Sequence, residues 1–237
     1  MNKKHSNPIC GYKPCPTPPE EMIAKAAAPS KAEFEKALID RCGRQLADAF
    51  SNAAVAICGL GGLGSNIAIS LVRAGIGRLI LIDFDDVDIT NLNRQQYKAG
   101  QIGMAKTEAL SANLNEINPY TEVQTHKIRL TEDNAVQLLR PADIICEAFD
   151  DPSQKAMLVN IVLEKMPSKY LVAASGMAGI ASANDIKTRR VSDRFYLCGD
   201  GVSDSSQMPG LLSARVALCA SHQAHMVLRL LAGFAEP

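Results

Sequence analysis

Residues 55–95 read VAICGLGGLGSNIAISLVRAGIGRLILIDFDDVDITNLNRQ, and this stretch decides the fold. Val55-Ala56-Ile57-Cys58 is a short apolar run with the length of a buried strand. Gly59-x-Gly61-x-x-Gly64 follows at once, and Ile67, Leu71 and Val72 then recur at helical spacing. Leu79 to Ile82 is a second apolar run, closed by Asp83. The pattern predicts a strand, a helix and a second strand. In such a unit one glycine permits a tight turn, one lets backbone approach a phosphate, and one lets the helix pack close to the sheet. The helix start offers free N–H groups and a positive dipole end to an anion. Asp83 lies 19 residues beyond Gly64, where a carboxylate can accept hydrogen bonds from ribose hydroxyls. A nucleotide site is predicted, with the nucleotide left undetermined. A turn that merely packs a helix on a sheet would use the same glycines.

Outward from this unit, strands and helices alternate between residues 53 and 175. Helical spacing runs from Met104 to Ile117, strand alternation from Glu122 to Ile128, and a helix from Thr131 to about Leu139. Ala142 to Ala148 reads as a strand, Pro152 to about Glu164 as a helix, and Tyr170 to Ala174 as a strand. This is the signature of an α/β fold, a mostly parallel sheet with helices on both faces. Beyond 176 two shorter strands, Asn184–Arg190 and Asp193–Leu197, predict a small antiparallel C-terminal part. Gly199 to Pro209 reads as a loop, and Leu211 to Leu231 as a long closing helix. Upstream, Ser30-x-x-Glu33 has the spacing of a capping box, opening a helix from Lys31 to about Phe50. Met1 to Pro29 carries six prolines and reads as an extended leader with a short helix near Glu20–Ala28. The expected organisation is a leader over 1–29 and one domain over 30–237.

Composition excludes some roles. Lysine and arginine total 25, and aspartate and glutamate total 25, so no net charge favours nucleic acid or an anionic membrane. The N-terminus has no apolar signal-like run. Arg215, His222, His225 and Arg229 interrupt the apolar stretch 211–234, which argues against a membrane span. Cys58, Cys146 and Cys219 sit in apolar runs and read as core residues of a cytoplasmic, reducing compartment. No C-x-x-C pair occurs, so no zinc ribbon is expected. Cys10 and Cys15, in the leader, remain as candidates for a metal or a disulfide.

Ligands of such sheets sit beyond the strand C-termini. Gly59–Gly64, Asp83–Asp85 and Asp150-Asp151 should therefore share one crevice. The loop after Asp83 carries Asn91, Arg94 and Gln95, and Lys106 opens the next helix. A ribose anchor, two cations and a distal carboxylate suit a nucleoside triphosphate with Mg²⁺, a hard cation that takes oxygen ligands. Hydride transfer would not need that set. Blander roles stand beside these: Arg94 in a surface salt bridge, Lys106 as a solvated helix lysine, and Asp150 as the cap of the helix beginning at Pro152. His126, His222 and His225 read as packing or surface residues.

GLGGLGS at 59–65, DFDDVDITNLNRQ at 83–95 and the later Lys106 resemble the ThiF/MoeB family, relatives of ubiquitin-activating enzymes, over about residues 41–234. The resemblance implies a Rossmann-like fold and a homodimer. It also implies use of ATP and Mg²⁺ to adenylate the C-terminal glycine carboxylate of a small ubiquitin-like protein. Carried over by motif, Gly59, Gly61, Gly62 and Gly64 would line the nucleotide. Asp83, with Asp85 beside it, would hold the ribose. Asn91, Arg94 and Lys106 would contact the phosphates, and Asp150 would bind magnesium. Asp151 stands where the family usually has Asn. Arg41-Cys42-Gly43-Arg44-Gln45 is similar to the family's RxxRQ, whose second arginine, here Arg44, reaches a partner subunit's site. Its spacing to the glycine turn is shorter than usual. The implied reaction is attack of the carboxylate on the α-phosphate with loss of pyrophosphate. Positioning and charge neutralisation supply most of the rate, with Arg94, Lys106 and Asp150 as the catalytic residues.

Departures narrow the reading. Many bacterial members carry two C-x-x-C zinc pairs, whereas Cys198 here has no neighbour, so no zinc site is expected. The loop 199–209 lacks the cysteine that accepts the carrier in many relatives. Cys198 would replace it only if exposed and electropositive, and the chemistry is expected to stop at the acyl-adenylate. SGMAG at 175–179 and CGDGV at 198–202 are most similar to the zinc-free ThiF subgroup of thiamine biosynthesis. The implied partner is a ThiS-like carrier ending in Gly-Gly, guided by the 199–209 loop, with no nucleic acid and no membrane. The alternatives are a relative that activates a tRNA-bound carboxylate, an NAD-dependent oxidoreductase, and a non-catalytic binding module. The intact set of Asp83, Arg94, Lys106 and Asp150 argues against the last.

Overall fold

In the computed structural model, residues 29–204 and 210–237 are described. The helix expected near Glu20–Ala28, the Cys10 and Cys15 pair and residues 205–209 of the tail-guiding loop lie outside them. In chain order the elements are α1 (Lys31–Cys42), α2 (Arg44–Ser51), β1 (Ala54–Cys58), α3 (Gly62–Ala74), β2 (Arg78–Asp83), α4 (Lys106–Ile117) and β3 (Glu122–Lys127). There follow α5 (Ala135–Leu139), β4 (Ile144–Glu147), α6 (Pro152–Lys165), β5 (Tyr170–Ala174), β6 (Lys187–Ser192), β7 (Phe195–Gly199) and α7 (Ser213–Leu231).

One seven-stranded sheet has the order β3-β2-β1-β4-β5-β7-β6. All neighbours pair in parallel except β6, which runs antiparallel to β7 at the edge. This is the expected Rossmann-like α/β architecture with its antiparallel C-terminal part. All five residues of β1 are buried, as a run apolar on both faces requires. From β1 the chain winds outward to β2 and β3, then crosses back to β4 and β5 on the other side. The strand order therefore reverses beside β1, the place where open α/β sheets leave a crevice.

Alternate strand residues serve opposite faces. Val55, Ile57, Leu79 and Leu81 pack with Ile67 and Leu71 of α3, Leu110 of α4 and Val227 of α7. Ala56, Cys58, Ile80 and Ile82 pack with Leu139 of α5 and Leu158 and Ile161 of α6. Among the described residues, no helix is long and apolar enough to cross a membrane.

Several boundaries differ from the sequence expectation for local reasons. The Ser30–Glu33 capping box is present, but the helix it opens breaks at Gly43. That glycine adopts φ +83° and its N–H closes on Ile39 O, so the chain restarts as α2. Residues 131–134 form a turn instead of the first turn of α5. The Asn134 side chain accepts from Thr131 N at 2.9 Å and donates to Arg129 O at 3.0 Å, a local alternative to helical bonding. β6 begins at Lys187 because Ser182 caps a short 3₁₀ turn over Ala183–Asp185.

Leu71 is fully buried between the sheet and its neighbouring helices. Leu71→Ala should therefore lower unfolding stability by about 2–5 kcal/mol, read as a reduced urea midpoint with unchanged slope. A loss within about 0.5 kcal/mol, the range of an ordinary surface site, would show that α3 does not carry this core.

Candidate active site

A cavity of about 700 Å³ opens at the C-terminal ends of β1, β2, β4 and β5. Gly59, Gly61, Gly62, Asp83, Asp85, Asn91, Arg94, Lys106 and Asp150 all line it. The three strand ends singled out in the sequence thus meet in one crevice. Two expected residues stand outside it. Gly64 lies behind the turn, where an added Cβ would fall 1.9 Å from the Gly59 carbonyl oxygen; it permits the turn to pack on α3 and does not line the cavity. Arg44 is exposed at the start of α2, away from the crevice of its own chain.

Asp83 is buried at 7% exposure. Its two carboxylate oxygens accept from Leu60 N at 2.6 Å and Asp85 N at 2.8 Å. Burial pushes its pKa up, while Lys106 and the two backbone N–H groups pull the other way. Its first job is therefore to hold the glycine turn against the end of β2. The Tyr97 hydroxyl donates to Leu60 O at 2.7 Å and pins the same turn from another side.

Residues 84–105 contain two 3₁₀ turns, Ile89–Asn91 and Ala99–Gln101. Asp88 caps the first by accepting from Thr90 N at 2.8 Å, and Asn91 Oδ1 accepts from Asp88 N at 3.0 Å. This fold-back carries Arg94 to the glycine turn, where its stem lies 3.4 Å from the position of a Cβ on Gly62. The guanidinium donates to Thr90 O at 3.1 Å and to Asn93 Oδ1 at 2.9 Å, and has no ion pair among the described residues. The surface salt-bridge role does not apply. Lys106 is not a solvated helix lysine either. Its side chain is 8% exposed and its ammonium sits 2.8 Å from Asp85 Oδ2. Gln95 is buried beside Gly61, and its Oε1 has no partner among the described residues.

The opposite wall separates the two aspartates after β4. Asp151 caps α6, accepting from Ser153 N at 2.7 Å and Gln154 N at 3.2 Å. Asp150 is left exposed to the crevice with no hydrogen bond or ion pair among the described residues. No group of three or more acidic, histidine or cysteine side chains converges there among the described residues. A single free carboxylate still fits Mg²⁺, which keeps several waters and takes one or two carboxylates together with substrate phosphates. At the rim Arg129 stacks 3.9 Å above the Phe84 ring.

Several partners were not evident in the sequence. Lys155 donates to both oxygens of Glu147, at 2.9 and 3.0 Å. Asp200 pairs with Arg215 at 2.6 Å, and Arg215 also donates to Ala181 O and Ser182 O at 2.6 and 2.7 Å. The usable signal was a charged residue inside an apolar pattern, Glu147 in β4 and Arg215 in α7, since such charges are almost never fully buried unless paired. Cys198 fails the exposure that a carrier-accepting thiol needs. It is fully buried, and burial pushes its thiol up to about 11. His222 Nδ1 lies 3.0 Å from Thr188 Oγ1, an internal packing partner as expected.

The sequence pattern of the ThiF family matches residues 35–237. The chain belongs to the ThiF family. Its similarities reach several branches. It is 39% identical over 127 residues to the adenylyltransferase and sulfurtransferase MOCS3 of Aedes aegypti, covering 53% of this chain and 28% of that protein. It is 33% identical over 136 residues to a sulfur carrier protein adenylyltransferase of Thermus thermophilus, covering 57% and 45% respectively. It is 36% identical over 181 residues to the ubiquitin-like modifier-activating enzyme 5 of Drosophila ananassae, covering 71% and 45%. The matched part is thus less than half the length of each of these curated relatives. In fold, this ThiF-family chain superposes on the E. coli tRNA N6-threonylcarbamoyladenosine dehydratase TcdA in complex with ATP. The TM-score is 0.77 at 22% identity, covering 87% of this chain and 98% of the other.

Asp200 yields a pH prediction. Burial alone would raise its carboxyl, but bonds from Ser203 N, Val202 N and Arg215 outweigh burial and hold it at about 2. As pH falls the unfolded chain takes up this proton first. The stabilisation is therefore complete above the ordinary aspartate value and is lost as pH falls through about 2. Asp200→Asn should melt below wild type near neutrality, with the gap closing between about pH 4 and 2. A gap independent of pH across that window would contradict the assignment.

Proposed function

We propose that this chain adenylates the C-terminal glycine carboxylate of a small ubiquitin-like sulfur carrier, using ATP and Mg²⁺. The carrying observation is one crevice with the glycine turn and Arg94 on one side, Lys106 buried beside the strand end, and Asp150 unpaired on the other. The N-terminus of α3 and the turn amides suit phosphate oxygens. Asp83 has given one lone-pair direction on each oxygen to backbone N–H groups and keeps acceptor capacity for ribose hydroxyls. Lys106 spends one N–H on Asp85, which leaves two donors for a polyphosphate. Asn91 and Arg94 stand beside it.

Asp150 would hold Mg²⁺, which when bound supplies charge neutralisation at the phosphates. The chain's own residues orient the reactants. A carboxylate oxygen of the carrier attacks the α-phosphorus, the bond to the bridging oxygen breaks, and pyrophosphate leaves with the electron pair. The rate comes from positioning and from cations already in place. A ThiS-like carrier is the favoured partner, supported by SGMAG at 175–179 and CGDGV at 198–202 and by the lone Cys198. The buried thiol of Cys198 supports a reaction that ends at the acyl-adenylate. The exposure of Arg44 on α2 supports a homodimer in which this arginine serves the neighbouring subunit's crevice.

ATP–pyrophosphate exchange tests the reading. Exchange should require a carrier ending in Gly-Gly, and Arg94→Ala and Asp150→Ala should each abolish it. Near-normal exchange in either variant would remove that residue from the site, and exchange driven by tRNA instead of a carrier would replace the substrate. The dimer has its own test. Arg44→Ala and Asp150→Ala chains, each inactive alone, should regain partial activity when mixed, because the hybrid holds one complete crevice. Persistent inactivity of the mixture would place Arg44 outside the partner's site.

A further inference from the structure

We infer that Glu147, paired with Lys155, is the positioning residue that aims Asp150 at a divalent cation. The inference rests on the reading of the crevice as a site for a nucleoside triphosphate with its metal.

Glu147 is the last residue of β4 and is 1% exposed. Its Oε1 accepts from Phe149 N at 2.7 Å, inside the turn that presents Asp150. Its Oε2 accepts from Ala174 N at 3.5 Å, at the end of β5. Lys155, in the first half of α6, donates to both oxygens, and its remaining N–H reaches Ala174 O at 3.2 Å. Gln223 of α7 supports the same place from below, donating to Glu147 O at 2.9 Å and to Val172 O at 3.2 Å. On the far side of Asp150, Asp151 is fixed as the cap of α6. The backbone is thus anchored on both sides of Asp150 while its carboxylate stays free.

Lys155 lines the crevice, yet its three N–H groups are all directed into the wall. It is therefore not a phosphate anchor. Its charge balances Glu147 and leaves that of Asp150 uncompensated toward the cavity. Stability is a poor explanation for such a pair, because well-packed apolar residues often hold two elements together as well as a buried ion pair does. Holding a neighbouring metal ligand at a fixed place and charge is the use that this geometry serves.

The test reads metal and nucleotide binding, not turnover. A non-hydrolysable ATP analogue is titrated calorimetrically with and without Mn²⁺, and free Mn²⁺ is followed by electron paramagnetic resonance. Wild type should bind the analogue more tightly with the metal. Glu147→Gln combined with Lys155→Met removes both charges, so no lone ion is buried, and keeps an acceptor for Phe149 N. It should cut the metal-dependent gain by about tenfold or more while leaving metal-free affinity unchanged. Adding Asp150→Ala should then cost nothing further, because the residues act through one ligand. A retained metal gain, an additive loss with Asp150→Ala, or an equal fall in metal-free affinity would overturn the inference. If the charge-free pair does not fold, Glu147→Asp keeps the charge and withdraws it from Phe149 N; a full metal gain in that variant would overturn the inference equally. Absence of any metal gain in wild type would instead overturn the proposed function.

Discussion

The contact between Leu60 N and the carboxylate of Asp83, at 2.6 Å, is the constraint on which the crevice depends. It ties the turn after β1 to the end of β2. The other oxygen of the same carboxylate receives Asp85 N, so one group sets the start of the following loop as well. Burying a carboxylate is costly unless it is hydrogen-bonded and charge-compensated. Two backbone N–H groups and the nearby Lys106 meet that requirement. Together with Gly59 N on Ile82 O and the Tyr97 hydroxyl on Leu60 O, this tie gives the turn amides, Arg94 and Lys106 a common frame.

Around that frame the walls repeat one device, an acid and a base paired at a strand end. Asp85 with Lys106 follows β2, Glu147 with Lys155 closes β4, and Asp200 with Arg215 follows β7. Each pair joins a strand end, or the loop just after it, to a helix. Arg94 and Asp150 belong to none of them. They line the cavity, one of each sign on opposite walls. A triphosphate with a divalent cation presents the complementary pattern.

The strands and the glycine turn were legible because they rest on short-range rules: apolar runs, helical period, and glycine where backbone must approach closely. The split between α1 and α2 was also written locally, at Gly43, but a continuous helical pattern on both sides hid it. The residues alone did not separate the roles of Asp150 and Asp151, since both precede Pro152 and either can cap; the family resemblance pointed to Asp150 as the metal ligand. Only the direction of the chain leaving β4 decides between them. The burial of Lys106 and the pairings of Glu147 and Arg215 were out of reach for a different reason. A charged residue in an apolar pattern announces that a partner exists and does not name it. The partner of Glu147 sits one turn into the next helix, and that of Arg215 lies beyond a loop.

The long C-terminal helix α7 covers the face of the sheet that also carries α3, and its Gln223 supports the end of β4. This cover is made after every strand of the sheet. Until residues 213–231 are made, Val55, Ile57 and their neighbours on that face have α3 and α4 to pack against but not α7. A chain that pairs its strands before α7 docks leaves part of that face open, a condition in which chains stick to one another. Docking of α7 closes that side of the sheet.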